Sequence, residues 1–168
     1  MNQKSSILKL TLGGIFAALI CIATMFLQIP VSLTQGYIHI GDALILLCAS
    51  LLGWIAVPAA AVGSMLADLL SGYAVYCLPT LIIKGGVALI VVLGVKENSS
   101  LWRALIWFVL AELWMVLGYF LVEWLVMGYG LAAAASAVVP NLIQGLSGVV
   151  LAALFLKPFR MIYRRILH

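Results

Sequence analysis

The sequence predicts an all-α integral membrane protein, a single domain over residues 1–168 that forms a bundle of six transmembrane helices. The composition is the first reason, because 66% of the 168 residues are hydrophobic and only 8% are charged. Soluble domains have about 45–50% apolar and about 25% charged residues. The second reason is that the apolar residues form long blocks, and a helix needs about 20 residues to cross a bilayer. Lipid offers no hydrogen-bond partners to backbone N–H and C=O groups, and a helix pairs these groups within itself.

Six apolar blocks give the predicted helices, and loops or turns separate them. The blocks cover residues 7–27, 39–52, 55–70, 79–95, 104–126 and 131–156. Pro58 falls in the first turn of the third block, where a missing N–H is tolerated. Pro140 is expected to divide the last block into a short lead-in and a spanning helix, because proline clashes with the preceding turn. A cleaved signal peptide is the alternative for the first block, which is longer than the roughly 7–15-residue apolar core of such peptides.

The distribution of positive charge predicts the orientation and is the third reason for six crossings. Six crossings place both termini on one side, together with the turn at residue 53 and the loop 96–103. Eight of the nine Lys and Arg residues fall on that side, and the loops 29–37, 71–78 and 127–130 contain none. The positive-inside rule therefore makes the N- and C-termini cytoplasmic. We interpret the basic tail, residues 157–168, as a face attracted to anionic lipid of the bilayer.

The sequence contains no pattern that indicates catalysis. HExxH, GxSxG and Walker A motifs are missing from the sequence, and these mark metalloproteases, serine hydrolases and P-loop ATPases. Cys21, Cys48 and Cys77 are isolated and are interpreted as small hydrophobic residues. We therefore expect no enzyme activity and no metal, cofactor or nucleic acid bound to this chain. If the protein drives uphill transport, another chain must use the ATP.

Polar side chains inside the apolar blocks are the candidate binding residues, because such groups usually face a bundle interior or a water-filled cavity. Helical spacing places Glu112, Tyr119 and Glu123 on one stripe and Ser64 with Asp68 on another. Most of these groups fall in the predicted outer half. Carboxylates accept paired hydrogen bonds from an aminopyrimidine edge, amides donate and accept, and aromatic rings stack. The predicted substrate-binding residues are Lys84, Glu123, Asn141, Gln144, Tyr119, Asp68 and His39.

A structural role is the alternative for each of these groups, because buried charges and amides also hold helices together. Asp42 and Asp68 suit that role best, since each can cap or bridge a loop–helix junction. His39 is interpreted first as a loop histidine whose hydrogen bonds are satisfied. Glu112 and Glu123 are three turns apart, about 16 Å along the axis, and so do not form an acid–base pair.

Small residues on the first helix predict a surface for a partner. Gly13, Gly14, Ala17 and Ala18 form two overlapping small-xxx-small pairs. Such pairs let another helix approach closely.

Five segments, taken in order, resemble the substrate-binding S components of energy-coupling factor (ECF) vitamin transporters. They read GYIHIGDALILL, GSMLADLLSGY, PTLIIKGGVAL, GYFLVEWLVMGYG and PNLIQGLSGVV, and the likeness is greatest to the branch assigned to hydroxymethylpyrimidine and related precursors. The resemblance implies a prokaryotic cell-membrane protein that binds one vitamin near its outer face, with the loop between helices 1 and 2 as a lid. It also implies docking on a transmembrane T subunit through the first helix, where the family favours Ala at positions 13 and 14. Two ABC-type ATPases would then use the ATP.

Two other functions stay open at this point. A stand-alone proton-coupled carrier would use Lys84, Glu112 and Glu123 as a relay, although the internal symmetry of many carriers is not visible in the sequence. A membrane scaffold would use its charges only for structure. For a vitamin-binding subunit, an aminopyrimidine such as hydroxymethylpyrimidine and a pyridine such as pyridoxine fit the polar set equally well.

Overall fold

The computed structural model describes residues 3–26, 28–30 and 37–167, and helices account for nearly all of them. This confirms the predicted all-α class. Two residues on each side of the first loop form a minimal antiparallel strand pair, β1 (Ile29–Pro30) and β2 (Tyr37–Ile38). The helices are α1 (Gln3–Phe26), α2 (Gly41–Leu52), α3 (Ala56–Leu70), α4 (Cys77–Gly94), α5 (Leu101–Leu121) and α6 (Leu131–Leu167).

Five segments of the described chain are long and apolar enough to cross a membrane. They are Ser6–Phe26, Gly41–Leu70, Ala74–Gly94, Leu101–Val126 and Leu131–Ile166. The second of them contains both α2 and α3, because only a three-residue 3₁₀ turn separates these helices. With 12 and 15 residues, α2 and α3 are each shorter than the ~20 residues that usually cross a bilayer.

Contacts with α1 show that α2 and α3 run in opposite directions. Thr24, near the end of α1, lies against Gly41 at the start of α2, so α2 runs back along α1. Gly13 lies against Ile55, and Ala17, four residues later, lies against Gly63, so α3 runs parallel to α1. The chain reverses at Gly53, whose φ of 64° lies in the left-handed region that glycine adopts without steric cost.

The predicted division of the last block at Pro140 is wrong, because α6 is continuous and contains both Pro140 and Pro158. A helical proline removes one hydrogen bond, but ending the helix would expose several backbone groups where lipid offers them no partner. The helix also continues to Leu167, so most of the basic tail is helical.

The central helix of the bundle is α2, which touches α1, α3, α4 and α6. Its Ile45, Leu46 and Cys48 have no exposed surface, and they pack with Val87 of α4 and Phe108 of α5 in the hydrophobic core. The outer helices instead carry exposed apolar side chains, which is the surface that lipid covers. Polar groups that α2 carries therefore lie in the middle of the protein.

The two ends of the bundle differ in chemistry. At the tyrosine end, defined by residues 28–30, 37–39, 71–76 and 127–130, side chains join the turns, as in the 2.9 Å hydrogen bond from Gln28 to Ser71. At the basic end, defined by residues 95–100 and 157–167, the guanidinium group of Arg160 donates to the carbonyl oxygens of Ser99 (2.7 Å) and Lys96 (3.1 Å).

Candidate functional site

A small cavity of about 30 Å³ lies at the tyrosine end, between β2 and the helices α1, α3, α4, α5 and α6. Most of the side chains that line it are polar. The structure brings together six of the seven predicted substrate-binding residues there, namely His39, Asp68, Tyr119, Glu123, Asn141 and Gln144.

Asp68 brings the first carboxylate to the cavity from the last turns of α3. It is only 4% exposed, and the hydroxyl of Tyr37 donates to its Oδ1 over 2.6 Å. Burial and the nearby Asp68 charge raise the pKa of Tyr37 above its usual value, so the phenol keeps its proton. The second oxygen, Oδ2, accepts no hydrogen bond from the described residues. Asp68 therefore retains an acceptor inside the cavity.

Glu123 brings the second carboxylate from a short π-helical segment, Val122–Val126, that continues α5. Such wider turns are rare and frequently occur at functional sites. Glu123 is 2% exposed, and the hydroxyl of Tyr76 donates to its Oε1 over 2.9 Å. Each carboxylate at the cavity is thus paired with a tyrosine from a segment that connects two helices.

The remaining polar side chains of the cavity include Thr80, Tyr119 and Ser64, which carry hydroxyl groups. Thr80 Oγ1 and the Tyr119 hydroxyl are 2.9 Å apart and share a hydrogen bond. Ser64 has no exposed surface, and its hydroxyl makes no hydrogen bond with any described residue. A buried hydroxyl without a partner loses the hydrogen bonds that water would give it, and a polar ligand would restore them.

Below the cavity, three helices meet in a buried charge network that we call the floor network: Asp42, Lys84, Gln144 and the backbone of His39. The Lys84 Nζ donates to Asp42 Oδ1 over 2.6 Å, and neither side chain is exposed. The Gln144 amide donates to Asp42 Oδ2 over 2.7 Å and accepts from the His39 N–H over 2.9 Å. Both oxygens of Asp42 are therefore satisfied.

Lys84 is the predicted site residue that the structure does not place on the cavity. Its Nζ lies 5.5 Å from the centre of the Tyr119 ring, and its charge is balanced by Asp42. A direct contact between Lys84 and a ligand stays a prediction. Asp42, which the sequence suggests caps or bridges a loop–helix junction, instead holds α2 to α4 and α6.

His39 is buried, and it connects the cavity to the floor network. Its Nδ1 accepts a hydrogen bond from the Gly41 N–H over 3.0 Å, which places the ring proton on Nε2. Burial and, to a lesser extent, the charge of Lys84 lower the pKa of His39 to about 4, although the charge of Asp42 opposes both. The imidazole is therefore neutral at physiological pH.

Several cavity residues had no functional role in the sequence prediction. They include Tyr76, Tyr37 and Thr24. Tyr76 lies 47 residues from Glu123 and Tyr37 lies 31 residues from Asp68, so only the tertiary fold reveals these pairs. The available signal was the number of tyrosines in loops without basic residues. Residues 31–36, most of the predicted lid, lie outside the described residues.

Glu112, the middle acid of α5, lies apart from the cavity. It is 4% exposed, and its two oxygens form no hydrogen bond with the described residues. The Glu112 side chain packs directly against Gly145 of α6, in the space that a larger residue at position 145 would fill. A groove of about 140 Å³ between α5 and α6 adjoins it and is otherwise lined by apolar side chains and Gly145.

The predicted docking residues divide into two sets. Gly13 is buried against Ile55 and Ala17 packs against Gly63, so this pair belongs to the interior contact of α1 with α3. Gly14 and Ala18 are exposed, and a Cβ atom added to Gly14 would meet no atom within 4 Å. Only the second pair forms a surface that another protein can reach.

Comparison with known proteins gives a family and one relative. The family model described as the S component of ECF-type riboflavin transporters matches residues 4–161. A protein of Pyrococcus woesei, described as an uncharacterized protein in a gap 3′ region, is 36% identical over 133 residues. That match covers 79% of this chain and 88% of the relative.

Proposed function

We propose, from the premise that the chain belongs to the family of ECF-type riboflavin transporter S components, that its cavity at the tyrosine end captures a small vitamin or vitamin precursor. Membership makes the protein a substrate-binding subunit of a membrane vitamin transporter and not an enzyme. It is a multi-pass integral membrane protein of the cell membrane. It works with a T component and ATPases.

The proposal includes six membrane crossings with both termini in the cytoplasm. The reversal at Gly53 and the opposite directions of α2 and α3 support two crossings in the 41–70 segment. Short helices suit this position because protein, not lipid, surrounds α2. The basic end then faces the cytoplasm, in agreement with the positive-inside rule. The tyrosine end and its cavity face outward.

The proposed ligand is hydroxymethylpyrimidine or a pyridoxine-like compound, and the pair of tyrosine-bound carboxylates in the cavity carries this proposal. Asp68 and Glu123 supply acceptors for ring amino or hydroxymethyl groups, and Tyr119 supplies an aromatic face. A cavity of about 30 Å³ holds about two water molecules, so it must widen for any ring. One six-membered ring requires less widening than the three fused rings of riboflavin, which the family description names.

Ligand titration of the purified full chain tests this proposal. The quenching of tryptophan fluorescence would be followed with hydroxymethylpyrimidine, pyridoxine and riboflavin, and we expect one of the first two to bind at micromolar concentration or below. Glu123→Gln should weaken that binding at least ~10-fold, since one hydrogen bond to a charged group is worth about this much. Glu97→Gln, an exposed change at the basic end, is the matched control. Binding of riboflavin alone would reassign the ligand, and binding of none would contradict the proposal.

For transport, we propose that the exposed Gly14/Ala18 surface docks on the T component and that the partner ATPases use the ATP. Gly14→Leu should then abolish ATP-dependent uptake in proteoliposomes of the whole transporter while ligand binding by the isolated subunit stays unchanged. Gly13→Leu is the contrasting variant, because Ile55 occupies that space and the change should destabilise the subunit itself. Uptake by the isolated subunit, driven by a pH gradient without ATPases, would instead support a proton-coupled carrier.

A further inference from the structure

We infer that the cavity selects its ligand by charge: it takes a neutral or cationic ring compound with several hydrogen-bond donors and rejects the same ring once it carries a phosphate or carboxylate. This inference rests on the proposed function, in that the cavity is taken to be the vitamin site. It adds a property that neither the family match nor the relative assigns.

The fixed charges around the cavity are the first observation. Asp68 and Glu123 both line it, each 4% exposed or less. No Lys or Arg is among the described residues that line it. The nearby cation, Lys84, is held 2.6 Å from Asp42, so its charge is already balanced. The cavity is therefore a site of negative charge.

The state of the hydrogen-bond donors is the second observation. The Tyr37 hydroxyl donates to Asp68, and the Tyr76 hydroxyl donates to Glu123. The Thr80 and Tyr119 hydroxyls bind each other. An anionic ligand needs donors, and the Tyr37 and Tyr76 hydroxyls are already used by the two carboxylates. The Asp68 Oδ2 atom, by contrast, is a buried acceptor without a partner among the described residues.

The third observation is that the loops at the tyrosine end contain no basic residues. Residues 27–36, 71–78 and 127–130 contain no Lys, Arg or His in the sequence. His39, the basic side chain that does line the cavity, is neutral because burial lowers its pKa to about 4. The described residues of the tyrosine end therefore provide no positive charge that could balance a bound anion.

These three observations together predict a large discrimination. Two buried carboxylates repel a third negative charge much more strongly than exposed ones would, because the surrounding dielectric constant is low. Like charges brought together in a binding site reduce affinity by at least ~100-fold. A donor-rich or positively charged ring instead gives Asp68 the hydrogen bond that its second oxygen lacks.

Matched pairs of compounds test the inference on the purified full chain. Isothermal titration would compare hydroxymethylpyrimidine, pyridoxine and riboflavin each with its own phosphate ester. For the skeleton that binds, we expect the ester to bind at least ~100-fold more weakly than the parent compound. The double variant Asp68→Asn/Glu123→Gln should reduce this ratio at least ~10-fold, whatever its effect on the parent compound. Glu97→Gln should leave the ratio unchanged.

Each result has one meaning. Parent binding with ester rejection, lost in the double variant, supports charge selection. Equal binding of parent and ester overturns charge selection while the proposed function stands, and so does a ratio that the double variant leaves unchanged. Preferred binding of an ester overturns it too. If no parent and no ester binds, the proposed function and this inference fail together.

Discussion

The floor network and the cavity above it are two buried polar regions built with the same chemistry and completed to different degrees. In the floor network, Asp42 has a cation on one oxygen and an amide on the other, within 2.6 and 2.7 Å. In the cavity, Asp68 has a tyrosine hydroxyl on one oxygen and no described partner on the other. Buried polar groups are normally satisfied. The cavity departs from this rule at Asp68 and Ser64, which suits it to receive a polar ligand from outside.

The difference separates residues that stabilise the fold from residues that leave capacity for a ligand. A buried ion pair with good geometry makes the removal of either partner costly, because the other charge is left uncompensated. A cavity group without a partner already lacks its hydrogen bonds, so its removal costs little. Substitutions in the floor network should therefore affect stability, and substitutions in the cavity should affect binding.

The largest expected effect is that of Lys84→Met, which leaves the Asp42 carboxylate buried without its cation. We expect the free energy of unfolding to fall by about 3–5 kcal/mol, measured by denaturant titration in detergent micelles. Asp42→Asn/Lys84→Met removes both charges and should recover at least half of that loss. Lys96→Met, at an exposed lysine, is the control. A double variant as unstable as the single one would show that the ion pair is not the source of the effect.

The second effect is a dependence of stability on pH that comes from His39. Its pKa is lowered from 6.5 to about 4 in the folded protein, so below pH 6.5 the unfolded chain binds a proton that the folded protein does not. Stability should be full above pH 6.5 and should fall as the pH approaches 4, by about 3 kcal/mol in total.

His39→Asn tests this dependence, because an asparagine oxygen can still accept from Gly41 but does not titrate. Unfolding measured between about pH 4 and pH 7 should show a slope that is smaller by one proton in the variant. An unchanged slope would assign the acid sensitivity to other groups.

A smaller effect is expected for Tyr37→Phe, which should affect both stability and ligand binding. The change removes the hydroxyl that donates to Asp68 over 2.6 Å, and a buried acceptor left without a partner costs about 1–3 kcal/mol. Thermal unfolding and ligand titration should both change. Tyr129→Phe is the control, because Tyr129 contacts Glu123 through its backbone N–H. Loss of stability without any change in binding would place Tyr37 with the structural residues.

The smallest expected effect on stability is that of Ser64→Ala. The serine hydroxyl has no hydrogen-bond partner among the described residues, so its removal should change the free energy of unfolding by less than ~0.5 kcal/mol or raise it slightly. Ligand binding should weaken nevertheless. A marked loss of stability would show that Ser64 already has a structural partner. Ser64 would then belong with the residues that stabilise the fold.

The sequence located the helices well because each apolar block ends at a strong local signal. Gly53 ends α2 where predicted, and α3 ends at Leu70, also as predicted. The start of α5 was predicted three residues too late, because the polar side chains of residues 96–103 suggested a loop. Ser100 in fact accepts from the Arg103 N–H and begins the helix as an N-cap.

The candidate site was predictable in composition but not in pairing. Polar residues inside apolar blocks were a sufficient signal for Asp68, Glu123, Asn141 and Gln144, because such groups face the interior. Which carboxylate receives Lys84 depends on the rotation of α2 and α4 about their axes, which spacing along one helix does not determine. Of the two tyrosines that bind the cavity acids, Tyr37 lies in the two-residue strand β2 and Tyr76 in a three-residue 3₁₀ turn. Segments this short have no periodicity that could reveal the pairing.

The separation of Gln144 from Asp42 along the chain has a consequence for biogenesis. They are 102 residues apart, and Gln144 lies in α6, which is synthesised after the other five helices. The Asp42–Lys84 pair is complete once α4 has been inserted, but the second oxygen of Asp42 and the backbone of His39 wait for α6. Partial chains that stop after α5 should therefore insert with the floor network incomplete.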